Sequence, residues 1–213
     1  MQPPILHVRK SSTIDKHVQK ISIDLAKIQK DFNANLANIK SKFDIVKSLL
    51  DSNKDAAEDI LRSQIVFLDS ALDFYIHEIA KYGMSQIIND DWQSTVPFNK
   101  YKISMEFAKK IIRTPENLNL FLEEIEETNQ KNCFMKYKNI ERQLELIGIK
   151  INKEIEIEKQ IDSLFTRRNE IAHQADVTNG KKNSISESDV NEFISCVEKL
   201  QKAIQNAVVK KEM

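Results

Sequence analysis

The sequence predicts an all-α fold, a multi-helix bundle that opens on a long N-terminal amphipathic helix. Three observations carry this reading. Glycine occurs 3 times and proline 4 times in 213 residues, too few turn residues for the hairpins of an all-β protein. Apolar residues recur at helical steps of three and four, and no stretch shows sustained alternation. The chain is 41% apolar, enough for a real core, so disorder throughout is excluded.

The elements follow in order. Residues 1–12 hold two prolines and read as a loose terminus. Ile14, Val18, Ile21, Leu25, Ile28, Phe32, Leu36, Ile39, Phe43, Val46 and Leu50 then form one narrow stripe, with a stutter across Phe32 and Leu36. This helix is either an arm that pairs two chains as a coiled coil or a helix packed on its own domain. Asp51-Ser52-Asn53-Lys54 breaks it. The sequence thus divides into a segment 1–52 and a helical domain 53–213, which can also form one continuous domain. A second helix is predicted over about 55–82, ended by Gly83, with Asp69, Asp73 and His77 at successive i,i+4 positions.

A helix over about 99–113 carries Lys100, Lys102, Lys109, Lys110 and Arg113. Thr114-Pro115-Glu116 has the order of an N-cap, a proline at N1 and a first-turn acid. Helices follow at about 115–127 and 132–147, with Gly148 as the stop. Asn152 can cap a helix over about 153–172. The last helix opens at Ser186 with an acid, Asp189, at N3, and Ile185 and Val190 are placed to form a hydrophobic staple. A polar loop spans 176–188, and no strand is expected.

Charge and targeting exclude several functions. With 32 basic and 32 acidic residues, bulk electrostatic wrapping of duplex DNA is disfavoured. Cys133 and Cys196 make neither a disulfide scaffold nor a zinc-ligand pair. The N-terminus lacks an apolar h-region, and no run is long enough to span a bilayer. A cytoplasmic protein with no membrane association is expected.

The 153–172 helix breaks its own pattern. Its stripe reads Ile157, Ile161, Leu164, Arg168, Ile171. A guanidinium stands where Leu or Ile is due, and arginine is almost never buried without a partner. This face must therefore meet an acid, a second subunit or an anionic ligand. Asn169 and His173 follow, four apart on one face. Arg168 lies about 140° from His173 around an ideal helix, so the two meet only if the arginine reaches round or the histidine comes from another chain. Arg168 can also pair with Asp69 or Asp73, with His173 favoured at the helix C-terminus.

The run Arg168-Asn169-x-x-x-His173 resembles the signature of the HEPN superfamily, all-helical domains of which many are ribonucleases. Leu72-Asp73-Phe74-Tyr75-Ile76-His77-Glu78 is similar to the first core helix of the RiboL-PSP-HEPN subgroup, and the resemblance covers about residues 55–209. It implies a metal-independent endoribonuclease whose motif helices meet in a homodimer to form one composite site. Arg168 and His173 are then the catalytic pair, with Asn169 beside them. Arg167, Asp73 and His77 are candidates for the substrate groove; Asp73 and His77 more often form a satisfied side-chain network, and the alternative for Arg167 is a solvent-exposed side chain. Histidine titrates near neutral pH and suits proton transfer, and arginine can bridge phosphate oxygens. No carboxylate-and-histidine spacing of a metal site surrounds the motif, so no metal or cofactor is expected. RNA and a second copy are the expected partners. The resemblance also implies a toxin or defence effector, with an antitoxin or other regulatory protein. Two rival readings stand beside it. One is a non-catalytic helical module that binds RNA, a nucleotide or a protein. The other is a structural coiled-coil protein, in which Arg168→Ala would be neutral or stabilising.

Overall fold

The computed structural model describes residues 20–114, 119–130, 136–152 and 154–213. Within them the chain folds as helices α1 (Leu25–Ser41), α2 (Phe43–Leu49), α3 (Lys54–Ile88), α4 (Val96–Asn99), α5 (Met105–Arg113), α6 (Asn119–Gln130), α7 (Tyr137–Leu146), α8 (Ile155–Gln174) and α9 (Glu187–Glu212). A two-residue antiparallel hairpin, β1 (Val177–Thr178) and β2 (Lys181–Lys182), separates α8 from α9. The all-α class is borne out.

α3 is the axis of the bundle, and α1, α2, α6, α7, α8 and α9 all pack against it. Its buried apolar residues point to several sides: Leu61, Ile65, Leu68 and Leu72 share one stripe, and Ala71, Tyr82 and Met84 are buried on others. A helix that is apolar on more than one face can only be satisfied at the centre of a bundle. Asn53 caps it by accepting a hydrogen bond from the Ala56 N–H at 3.2 Å.

The predicted 14–50 helix is corrected in two ways. Residues 14–19 lie outside the described residues. From Lys20 to Ile23 the chain is not helical. There the Ile21 N–H donates to Asn89 Oδ1 at 3.0 Å, and its carbonyl accepts from Asn89 Nδ2 at 2.8 Å. Asp24 then caps α1. The helix runs unbroken through Phe32 and Leu36 and is interrupted instead at Lys42, whose N–H reaches back to Ile39 at 3.2 Å. That tightened turn lets Phe43 and Val46 stay in the core beside Ile28, Phe32, Leu36 and Ile39. From Ile28 to Val46 the apolar stripe is buried within the chain, and Phe32 meets Tyr75 with ring centroids 4.7 Å apart, while Leu50 at its end is exposed.

Gly83 does not end its helix. α3 continues to Ile88, and Gly83 faces Ile147 so closely that a Cβ there would lie 2.6 Å from the Ile147 Cβ. The glycine serves a close helix approach, not a C-cap. The predicted 99–113 helix is two elements. Thr95 caps the single turn α4 around Pro97, and Ser104 caps α5, which leaves Lys100 and Lys102 on the connection between them. Thr114 closes α5, and the Pro115-Glu116 start falls outside the described residues, as do Cys133 and the beginning of the 132–147 prediction. Gly148 has φ of 72°, as a helix stop there requires. α8 begins after Glu154 rather than Asn152 and runs two residues further than predicted. The Ser186 capping box with Asp189 is present. Trp92 is core, edge-on to Tyr82 with Lys211 Nζ 4.6 Å from its ring centroid.

Candidate active site

The site is built where the last two turns of α8 cross α3. α8 buries Ile157, Ile161 and Leu164. That stripe turns the next position, Arg168, toward α3 as well. There it meets Asp69, whose side chain is 1% exposed: Arg168 Nε stands 3.5 Å from Asp69 Oδ2. The pair is an ion pair without hydrogen-bond alignment. Neither Asp69 oxygen and not Arg168 Nε has a hydrogen-bond partner among the described residues. Arg168 Nη1 donates to Asn169 Oδ1 at 3.1 Å. The sequence alternative of Arg168 paired with Asp69 is thus what the geometry contains.

Burial pushes the Asp69 carboxyl up to about 7; the Arg168 guanidinium opposes this, and the nearby Asp73 carboxylate adds to it. One and two turns along α3, Asp73 Oδ2 lies 3.4 Å from His77 Nε2. Asp69, Asp73 and His77 therefore make a continuous polar strip on α3, and Arg168 covers its first member.

His173 is exposed on the last turn of α8, where the helix dipole favours a cation. No hydrogen bond or ion pair joins it to a described residue, and none links it to Arg168 of the same chain. The helix brings Asn169 and His173 onto one face and leaves Arg168 on another.

Arg167 is engaged elsewhere. Its guanidinium bonds Asp176 through both terminal nitrogens, Nη2 to Oδ2 at 2.9 Å, and Nη2 also donates to the Ser184 carbonyl at 3.1 Å. Asp176 is in turn bound by Arg62 Nε at 2.7 Å. Sequence reasoning passed over both Asp176 and Arg62. The first lies in a polar loop that reads as solvated, and the second sits beside, not on, the α3 stripe. Among the described residues, no group of three or more His, Cys, Asp or Glu is placed to hold a metal ion. No helix among them is long and apolar enough to cross a membrane.

A family model, RiboL-PSP-HEPN, matches residues 23–210. The chain belongs to the RiboL-PSP-HEPN family. The match begins well before residue 55 and takes in α1 and α2, so the family unit includes the helix that fills the core with Phe32. Membership in this HEPN family points to a nuclease or RNA-related role. No curated protein and no solved structure matches the chain.

Proposed function

We propose that this HEPN-family chain is a metal-independent endoribonuclease that works as a homodimer, with a composite site formed where two α8 helices face each other. In this reading the substrate's own 2′-hydroxyl attacks the adjacent phosphorus and the bond to the 5′-oxygen breaks. His173 takes the hydroxyl proton or delivers one to the leaving oxygen. The guanidinium of Arg168 stabilises the phosphorane charge, and Asn169 orients the group beside it. The products are a 2′,3′-cyclic phosphate and a 5′-hydroxyl. Asp73 and His77 continue the polar strip along which RNA lies. Arg167, taken up by Asp176, is better read as holding α8 than as holding substrate.

The observation that carries the reading is the state of Arg168. It is an arginine in an apolar stripe, held on one side by a buried carboxylate and on another by Asn169, with Nη2 left without a partner among the described residues. Five residues on, His173 is exposed and unengaged. The angle between them around α8 suits a pair completed across a two-fold axis better than one within a chain. The wider role is that of a cytoplasmic toxin or defence effector, held in check by an antitoxin or other regulatory protein.

The test is cleavage of total cellular RNA in EDTA by the wild type and by His173→Ala, with the product ends mapped. Cleavage by the wild type alone, leaving cyclic phosphate ends, is expected. One observation favours a second reading, a non-catalytic module that binds RNA, nucleotide or protein: Arg168 already has an ionic partner in its own chain. A folded dimer that leaves RNA intact would transfer the assignment to that module.

A further inference from the structure

The turn that follows α8 is held far more firmly than an exposed polar loop requires. Ala175 and Asp176 both adopt the left-handed conformation, with φ of 51° and 58°, a costly choice for residues with a Cβ. Both N–H groups close back onto the Glu170 carbonyl, Asp176 at 3.0 Å. The Asp176 carbonyl accepts from the Asn183 N–H at 2.8 Å, which ties the far side of the hairpin to the same point.

The Asp176 side chain is fully buried and gathers three elements. Arg62 of α3 donates to it through Nε at 2.7 Å, Arg167 of α8 grips it with both terminal nitrogens, and Asn183 Nδ2 donates at 3.1 Å. The remaining Arg62 nitrogens are also satisfied, by Glu58 and Asp59 at 3.0 Å and by the Asn183 carbonyl at 2.8 Å. Buried ion networks of this kind contribute little net stability compared with apolar packing, and their best-attested use is to fix one arrangement among several. What this one fixes is specific. Residues 168–174, the last two turns of α8, lie between Arg167 and Asp176, and so both ends of the segment bearing Arg168, Asn169 and His173 are tied to α3. Arg167 and Arg168 are neighbours about 100° apart around the helix, so the direction of one sets the direction of the other.

We infer that Asp176 is a positioning residue of the candidate ribonuclease site: by clamping Arg62 and Arg167 it holds the last turn of α8 in the rotation that aims His173 at the substrate. This rests on the reading of Arg168 and His173 given above. Its carboxylate touches neither RNA nor the reacting atoms; it acts through the turn.

The experiment compares wild type with Asp176→Asn and Arg62→Lys. Asp176→Asn keeps the shape and removes the charge. Arg62→Lys keeps a cation and loses the fork that spans several acceptors. Steady-state cleavage of RNA is measured well below each melting temperature, and the His173 ring signals are followed by NMR through a pH titration. The expected result is a fall in kcat of about 10- to 100-fold, the scale of a misplaced catalytic group, with KM nearly unchanged and the His173 ring signals shifted or broadened. A folded Asp176→Asn protein with wild-type kcat and unmoved His173 signals would overturn the inference. If that variant does not fold, Arg62→Lys decides on the same readouts. If the wild type cleaves no RNA, the ribonuclease reading fails, and the His173 spectrum alone still decides whether Asp176 sets its position.

Discussion

Asp69→Asn should remove most of the pH dependence of stability between pH 5 and pH 8. Asp69 is 1% exposed, neither oxygen accepts a hydrogen bond from a described residue, and the Arg168 guanidinium stands 3.5 Å away without alignment. Its carboxyl is raised from 3.8 to about 7 by burial, against the pull of Arg168 and with the push of Asp73. An acid whose folded pKa is raised binds more protons in the native than in the unfolded state, so stability falls as pH rises between the two values. The contribution is fully present below about pH 4 and lost by the time pH passes the folded value. At about 1.4 kcal/mol per unit, the whole shift amounts to about 4 kcal/mol, more than half of which falls between pH 5 and pH 8. Asparagine has no such titration. The assay is urea unfolding of both proteins at each pH, at one fixed protein concentration so that any self-association affects both alike. Every other titrating group is common to the two chains, so the difference between them isolates Asp69. Parallel stability curves for the two proteins would refute the placement of Asp69 as an ionisable group without adequate compensation.

Three further outcomes follow from packing. Gly83→Ala should destabilise by about 1–3 kcal/mol in denaturant unfolding, because the new Cβ meets the Ile147 side chain at 2.6 Å; at an exposed helix position the same change would stabilise, so the sign is the test. Phe32→Ala should cost about 3–5 kcal/mol, since the ring is fully buried against Tyr75; a loss below about 1 kcal/mol by the same assay would mean that α1 is peripheral to the core. Ser186→Ala should lower the unfolding free energy by about 1 kcal/mol through loss of the capping box with Asp189, with the m-value unchanged.

The helices were legible wherever a sequence rule acts through nearest neighbours. The Ser186 cap, the Asn53 break and the apolar stripes of α1 and α8 each depend on residues within a turn of one another, and each stands where it was expected. What the sequence concealed depends on partners far along the chain. Gly83 looks like a terminator because its need for a small side chain is set by Ile147. The 14–50 stripe looks like one helix because nothing in the local sequence distinguishes Lys42 from the other lysines along it. Asp176 looks like loop filler because its two cations come from positions 62 and 167. Of the site, Arg168, Asn169 and His173 stood out by spacing and by the broken stripe. Arg167 adjoins the motif in sequence, and its four acceptor atoms lie on Glu170, Asp176 and Ser184.

Two arginine clusters of this fold, one buried at Arg62 and one half-buried at Arg168, differ sharply in how completely they are satisfied. Arg62 is 5% exposed and every one of its guanidinium nitrogens has an acceptor. A network so fully satisfied has no capacity left for a ligand, and its role is to fix α3 against α8 and the hairpin. Arg168 is the opposite case. Its side chain is 22% exposed, its Nε faces a carboxylate without a hydrogen bond, and Asp69 itself has no hydrogen-bond partner at either oxygen among the described residues. Native structures seldom leave buried polar atoms in that condition without a use for them. The deficit sits at the stripe position where an arginine stands in place of an apolar residue, on the last two turns of α8, which also present Asn169 and His173. An incoming phosphate would supply the acceptors that Arg168 lacks, and Asp69 would then serve to hold the guanidinium at the surface rather than to neutralise it.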